Sequence, residues 1–374
     1  MKNTTKYIGL DVSKEKISVA IADAGREPSR YWGTISHKPE AVRKLLKQLG
    51  KPDELEVCYE AGPTGFELYR WISSMGISCT VIAPSHIPSR PGDHIKTDRR
   101  DAEKLAQLFR AGELTAVYVP TRDDEALRDL IRARADFKED QHRFRQRIIH
   151  YLLRRQISPP ATIQRRWTQA YRAWLNRLTF ERESEQLTVQ EYLHELHECE
   201  ERLTRIEAAM AEQALKGAKA EVIRAVQSLR GIALVTAVTI VAEIGCFRRF
   251  RSPAQLMAYL GMVPREYSSG QGVRKGSITK TGNRQVRRVF IESAWSYRYR
   301  PAVKGELEKR LVGQSGEVQL ISWKAQNRLH QKYRQLLMKG KHKNLVIGAV
   351  GRELVGFVWA LACEAEKRLE ATGA

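Results

Sequence analysis

The sequence predicts an α/β unit at the N-terminus followed by a longer, mostly helical part. Three observations predict it. Between 6 and 120, short runs rich in β-branched and aromatic residues alternate with segments of helical periodicity. From 122 to about 215, Arg, Glu, Gln and Leu dominate and glycine is scarce. From 220 onward, apolar helical stretches flank a segment rich in glycine, serine and cations.

The first unit reads as follows. YIGLD (7–11) is an apolar run ending on an acid, and KISVAIAD (16–23) alternates Ile17, Val19 and Ile21 after a tight turn, so the two form a hairpin. RYWGTIS (30–36) supplies a third strand. Val42, Leu45, Leu46 and Leu49 set a helix over 39–50 with Gly50 as its cap. LEVCYEA (55–61) is a strand that again ends on an acid, Glu60. GFELYRWISSMG (65–76) is a helix, SCTVIAP (78–84) a buried strand, and 101–113 a helix with Ala102, Leu105, Leu108 and Phe109 on one face. Three leading strands followed by alternating helix and strand give a mixed sheet with helices on its faces.

Next, 126–157 and 187–217 are long amphipathic helices separated by the SPPATIQ break. Leu193, Leu196, Leu203 and Ile206 stand near heptad spacing, so a helical hairpin or coiled coil is expected, able to pair with a second chain. Beyond 219, SLRGIALVTAVTIVAEIG (228–245) is a turn entering an apolar helix. It fits a buried helical hairpin and equally a helix–hairpin–helix unit that presents amides to a DNA backbone. The stretch 268–283 reads as a polar loop, followed by a basic helix, and 344–362 as an apolar helix packed into this last part. The domain boundaries expected are 1–120, 121–218 and 219–374.

Lys and Arg number 64 against 43 Asp and Glu, a formal net charge of +21. An excess of that size in a chain with a sizeable core points to a polyanionic partner, nucleic acid above all. The five cysteines are scattered with no CxxC spacing, which argues against a zinc site or disulfide framework. The N-terminus lacks the pattern of a signal peptide, and no uninterrupted apolar run reaches the ~18 residues that span a bilayer. A cytoplasmic, nucleoid-associated protein without a membrane partner is the expectation.

Two constellations carry chemistry. Asp11 and Glu60 end strands, and Asp98 and Asp101 begin a helix at i, i+3, about 5–6 Å apart on one face. Four acids from three elements at one end of a sheet repel one another unless a divalent cation sits among them. Two such ions clamp the attacking and leaving oxygens of a phosphodiester. Lys96, Arg99 and Arg100 interleave with the acids and would hold the phosphates of a substrate drawn to an acidic site. Asp98 and Asp101 could instead be helix-start acids favoured by the macrodipole. Asp11 in a strand–DxS–strand context also fits the phosphate hairpin of sugar-kinase and actin-like ATPases, although no second glycine-rich phosphate loop accompanies it.

The second constellation, SSGQGVRKGSITKTGN (268–283), offers hydroxyls, four glycines and the cations Arg274, Lys275 and Lys280, with Arg265 before it and Arg284, Arg287 and Arg288 after it. Residue types alone leave open whether it is a phosphate-contact loop or carries a serine nucleophile.

YIGLDVSKEKISVAI, EVCYEAGPTG and KTDRRDAEKLAQL, taken with LRGIALVTAVTIVAEIGCFRRF, AYLGMVPREYSSGQGVRKGSITKTGNRQVRR and GRELVGFVWAL, make the sequence resemble the transposases of insertion-sequence family one hundred and ten, the bridge-RNA-guided DEDD recombinases. The resemblance covers nearly the whole chain. It implies an RNase H-like, RuvC-like mixed-sheet domain, a coiled-coil middle and a C-terminal transposase domain. It implies that Asp11, Glu60, Asp98 and Asp101 bind one or two Mg²⁺ ions. Ser269 matches the nucleophile that forms a covalent phosphoserine link to DNA, and Ser268 beside it is the competing assignment. Donor and target DNA and a structured noncoding bridge RNA are the implied partners. The implied assembly is a homodimer building to a tetramer, with acids and serine contributed by different subunits. A junction-resolving hydrolytic endonuclease is the alternative, in which the acids alone cut DNA and the serine segment only binds. The stretch 301–342 suggests no role beyond more nucleic-acid surface.

Overall fold

A computed structural model of the chain describes residues 6–88, 97–269 and 272–372. Lys96 and Gly270 therefore lie outside the described residues. The chain divides into two compact units, 1–120 and 121–374.

The first unit is a five-stranded mixed sheet in the order β3-β2-β1-β4-β5, with β1 Lys6–Val12, β2 Lys16–Asp23, β3 Arg30–Ser36, helix α1 Pro39–Leu49, β4 Leu55–Glu60, α2 Glu67–Ser74, β5 Ser78–Ile82 and α3 Asp98–Arg110. β1–β2 and β2–β3 are antiparallel; β1–β4 and β4–β5 are parallel. The short turn after Val12 permits the antiparallel hairpin, whereas the parallel pairs require the crossovers α1 and α2. One face of the sheet packs Ile8, Leu10, Ile17, Val19, Val57 and Tyr59 against Leu45, Leu46 and Ile72 of those helices. The other face is small, with Ala20 and Ala22 clustered with Ala102 and Ala106 of α3.

Gly9 explains how close α3 comes. A Cβ at Gly9 would lie 2.4 Å from the Ala106 nitrogen and 2.5 Å from the Ala102 oxygen, both backbone atoms that cannot step aside. The missing side chain lets the helix rest on β1 itself. We expect Gly9→Ala to destabilise this unit by about 3 kcal/mol, because α3 must be pushed off the sheet. Chemical denaturation followed by Trp71 fluorescence checks it, and an unchanged midpoint would show that α3 is not held by this contact.

The second unit opens with α4 Arg122–Arg154, α5 Gln169–Asn176 and α6 Glu183–Lys216. α4 and α6 pack along each other as the expected helical hairpin. Leu196 and Leu203 are buried in it, while Leu193 and Ile206 are half-buried. Midway along α6, Glu200 accepts hydrogen bonds from Arg172, Arg145 and Gln141. Burial pushes that carboxyl up, but the Arg172 and Arg145 bonds outweigh it and bring it down to about 2. The short α5, beyond the Pro–Pro break, was not foreseen from the sequence.

Then follow α7 Ala220–Gln227, α8 Leu234–Ile244, α9 Pro253–Tyr259, β6 Pro264–Ser269, β7 Gly272–Ile278, α10 Arg284–Ala294, α11 Glu306–Leu311, α12 Gly316–Met338 and α13 Lys343–Thr372. Their core unites Val238, Val241, Phe247, Phe290, Leu329, Val350, Val355 and Val358, and it takes in Ile131 of α4 and Met210 and Ala214 of α6 across the boundary expected at 218. α13 runs through this core against α7, α9, α10 and α12. By length and composition, a window of 18 residues in it is apolar enough to cross a membrane. The run-length reading missed it because Arg352 and Glu353 interrupt the sequence. Half of that window is buried inside the unit, and Glu353 pairs with Arg328 and Lys332 of α12.

One reading needs correction. Of the stretch expected to be a polar loop, 268–269 and 272–278 belong to the antiparallel strands β6 and β7. Almost all its described residues are exposed, so it has no buried face to impress an apolar alternation on the sequence.

Candidate active-site elements

In the first unit the acids are assembled by strand register and by the rise of one helix. β1 and β4 run parallel with Leu10 opposite Tyr59, so the next positions, Asp11 and Glu60, stand side by side at the strand ends. Their faces follow from alternation. Tyr7 and Gly9 meet α3, and so does Cys58, whose thiol reaches the Leu105 carbonyl. Asp11 and Glu60 therefore project to the α3 side. With Ala102 and Ala106 seated on Gly9, the first turn of α3 lies at that same end, and it carries Asp98 and Asp101. Thr97 caps this turn, its side chain accepting from the Arg100 amide.

Lys16, which sequence reasoning passed over, sits among these acids. Its ammonium is 2.7 Å from an Asp98 carboxylate oxygen. The hydrogen bond and charge of Asp98 raise the lysine's pKa, with a smaller contribution from Asp11, and Lys16 in turn holds the Asp98 carboxyl below its ordinary value. Asp98 is exposed, Asp11 and Asp101 half-buried, Glu60 exposed. Among the described residues no three His, Cys, Asp or Glu side chains stand close enough together to hold a metal ion as they are. In kind the donors fit one: they are hard carboxylate oxygens on three elements, and a cation, the Lys16 ammonium, already touches one of them. Arg99 pairs with Glu103 and lies 5.3 Å from the Tyr31 ring, while Arg100 is exposed.

In the second unit the hairpin register separates the two serines. Tyr267 faces Arg274 and Ser269 faces Gly272, and Gly276 lies against Arg265. One face of the ribbon thus carries Arg265, Tyr267, Ser269 and Arg274. The other carries Glu266, Ser268 and Lys275. Ser268 donates to the Glu266 carboxylate at 2.8 Å, whereas the Ser269 hydroxyl has no hydrogen-bond partner among the described residues. The Ser269 face thus carries two guanidiniums and a hydroxyl, and the other a carboxylate beside Lys275.

The root of the hairpin is firmly built. Gly261 and Gly282 adopt φ +64° and +73°, and a Cβ on either would lie 2.2 Å or less from the Thr281 or Tyr259 carbonyl oxygen. Arg287, expected to contact nucleic acid, donates to the Leu260 and Thr281 carbonyls instead, and burial followed by the charge of Arg284 lowers its pKa. Arg288 pairs with Glu292, Arg284 is exposed, and Lys280 sits at φ +60° at the end of the ribbon.

Beneath the root lies Glu243, its side chain only 3% exposed at the end of α8. It takes both bonds of the Arg132 guanidinium, at 3.1 and 3.2 Å, and accepts from the Asn283 amide at 2.7 Å. The same Asn283 caps α10 through the Val286 amide. This node was missed by the sequence reading. A single acid inside the apolar run VTIVAEIG, and Asn immediately before a helix, were the signals for it. We expect Glu243→Ala to cost about 2 kcal/mol by orphaning Asn283, and Glu243→Gln, which keeps an acceptor, to cost less. Thermal unfolding of the two variants checks this, and equal losses would assign the effect to the ion pair with Arg132.

Comparison with known proteins gives a consistent picture. Residues 8–157, which hold all four acids, match a family model described as Transposase, of the DEDD type. Residues 223–305, which hold the hairpin and the Glu243 node, match one described as Transposase IS116/IS110/IS902 family. A putative transposase of Sinorhizobium fredii is 43% identical over 96% of this chain and 89% of its own length. The transposase for insertion sequence element IS1533 of Leptospira borgpetersenii is 32% identical over 90% of this chain and 97% of its own. That for insertion sequence element IS1328 of Yersinia enterocolitica is 24% identical over 97% and 98%.

Proposed function

This chain belongs to the IS110 family of insertion-sequence transposases, and from that premise we propose that it recombines DNA by a covalent route in which Ser269 is the nucleophile. The DEDD domain of the family implies a divalent metal ion. We take the ion to be Mg²⁺, held by Asp11, Glu60, Asp98 and Asp101, where it would polarise the phosphodiester and stabilise charge on the leaving oxygen. Lys16 must give up Asp98 for all four carboxylates to turn inward.

The chain's own part follows from its side chains. Arg265 and Arg274 flank Ser269 on one ribbon face and hold the phosphate against it. The Ser269 oxygen forms a bond to phosphorus, and its proton passes through solvent to the strand end that leaves. The bond from phosphorus to the adjoining strand end breaks, and that end leaves as a hydroxyl. A second strand's hydroxyl then displaces the serine, so one phosphodiester replaces another without net hydrolysis. Acids and serine are supplied by different copies of the chain in a tetramer. A structured RNA pairs with donor and target DNA to choose the sites, the high net charge serving both nucleic acids.

The observation that carries this reading is the sidedness of the hairpin, which sets Ser269 on the face of Arg265 and Arg274 and aims its neighbour at a glutamate. The test is a covalent trap. Protein, Mg²⁺, guide RNA and labelled donor and target DNA are mixed and denatured, and label is sought on the protein. An adduct supports the serine route. Cleaved DNA without one would move the assignment to hydrolytic cutting by the acids alone.

A further inference from the structure

We propose that Tyr299, with Arg230, Arg298 and Arg300, is a stacking platform for an unpaired nucleobase. The segment after α10 is fixed from below. Tyr297 is buried to 1% exposure, and its carbonyl meets His330 at 3.1 Å. The Ala302 amide donates to Gln326, and Arg230 donates to the Tyr299 and Arg300 carbonyls at 3.4 and 2.7 Å. On this hydrogen-bonded backbone Tyr299 is 54% exposed.

The company it keeps decides the partner. The Arg298 guanidinium is 4.6 Å from the ring centroid and the Arg230 guanidinium 6.0 Å, and Arg298 also bonds the phenol oxygen. None of Arg230, Arg298 and Arg300 has a carboxylate partner among the described residues, whereas nearby Arg288, Lys309 and Arg328 each hold a glutamate. An exposed ring with uncompensated guanidiniums lying over it offers its remaining open surface to a base and positive charge to the phosphate next to it. A base inside a duplex has both faces covered by its neighbours, so the occupant is a single-stranded or flipped-out nucleotide. This rests on the transposase reading only in that nucleic acid is present to bind.

The test uses the full chain and a short single strand carrying 2-aminopurine, as DNA and as RNA, with the matching duplex as control. Tyr299→Ala is expected to weaken single-strand binding about tenfold and to reduce the stacking quench of 2-aminopurine. Tyr299→Trp should restore both, and duplex affinity should stay within about twofold. The tighter of the DNA and RNA arms identifies the natural strand. If Tyr299→Ala binds single strands as the unmodified protein does, or loses duplex and single strand alike, the platform is overturned. Thermal unfolding of the variant separates either result from loss of fold. A failed covalent trap with Tyr299-dependent stacking intact would sink the serine mechanism and leave this inference standing. The converse result would do the reverse.

Discussion

Ser269→Ala abolishes the protein–DNA adduct and lowers strand exchange by at least ~10³-fold, while Ser268→Ala keeps both; this is the largest effect expected of any single change. The two residues are adjacent and both exposed, so neither substitution should move stability by more than about 0.5 kcal/mol. What separates them is the pleat. Ser269 shares its face with Arg265, Tyr267 and Arg274, and Ser268 is turned to Glu266. A phosphate approaching Ser268 would meet that carboxylate. The measurement is label retained on denatured protein for each variant. An adduct that survives Ser269→Ala and vanishes with Ser268→Ala would transfer the role to the other face.

The second large effect lies in the first unit. Asp98→Ala combined with Asp101→Ala should remove strand cleavage by ~10³-fold or more and leave bulk duplex binding unchanged or slightly tighter. Removing two acids from a helix start costs about 0.3–1 kcal/mol each, and the Thr97 cap remains, so the helix survives. Binding should not fall, because the change makes the chain more positive and frees Lys16 from Asp98. Cleavage of labelled DNA and retention on a filter, measured on the same preparation, check the pair of outcomes. Cleavage that persists would return both acids to a purely helix-stabilising role.

Much of this was legible in the sequence where burial writes a period. The strands at 16–23 and 55–61 alternate or run apolar because one or both faces are covered, and the i, i+3 spacing of Asp98 and Asp101 survives intact in α3. The hairpin at 264–278 was not legible as a hairpin, since a ribbon bare on both faces leaves no hydrophobic imprint. Gly9 looked like any glycine in a strand; only its distance to the α3 backbone explains it. Arg287 was read as a phosphate contact because charge is visible in a sequence and a carbonyl partner is not. Lys16 was hidden for a related reason: it lies five residues from Asp11 in the chain but meets Asp98 across space.

The hairpin that carries Ser269 is built like a cantilever. The described residues of its two strands are almost all exposed, and its root is clamped by two interlocked glycines, by Arg287 and by the Glu243–Asn283 node. A strand of six residues is ~20 Å long, so a tilt of about 10° at the root would swing the serine by about 3 Å. Displacements of that order are large compared with the tolerance of an in-line attack. If Ser269 is the nucleophile, its aim would be set well away from it, by the buried Glu243 carboxylate. Lengthening the ribbon would magnify every error at the root, whereas shortening it would forfeit reach.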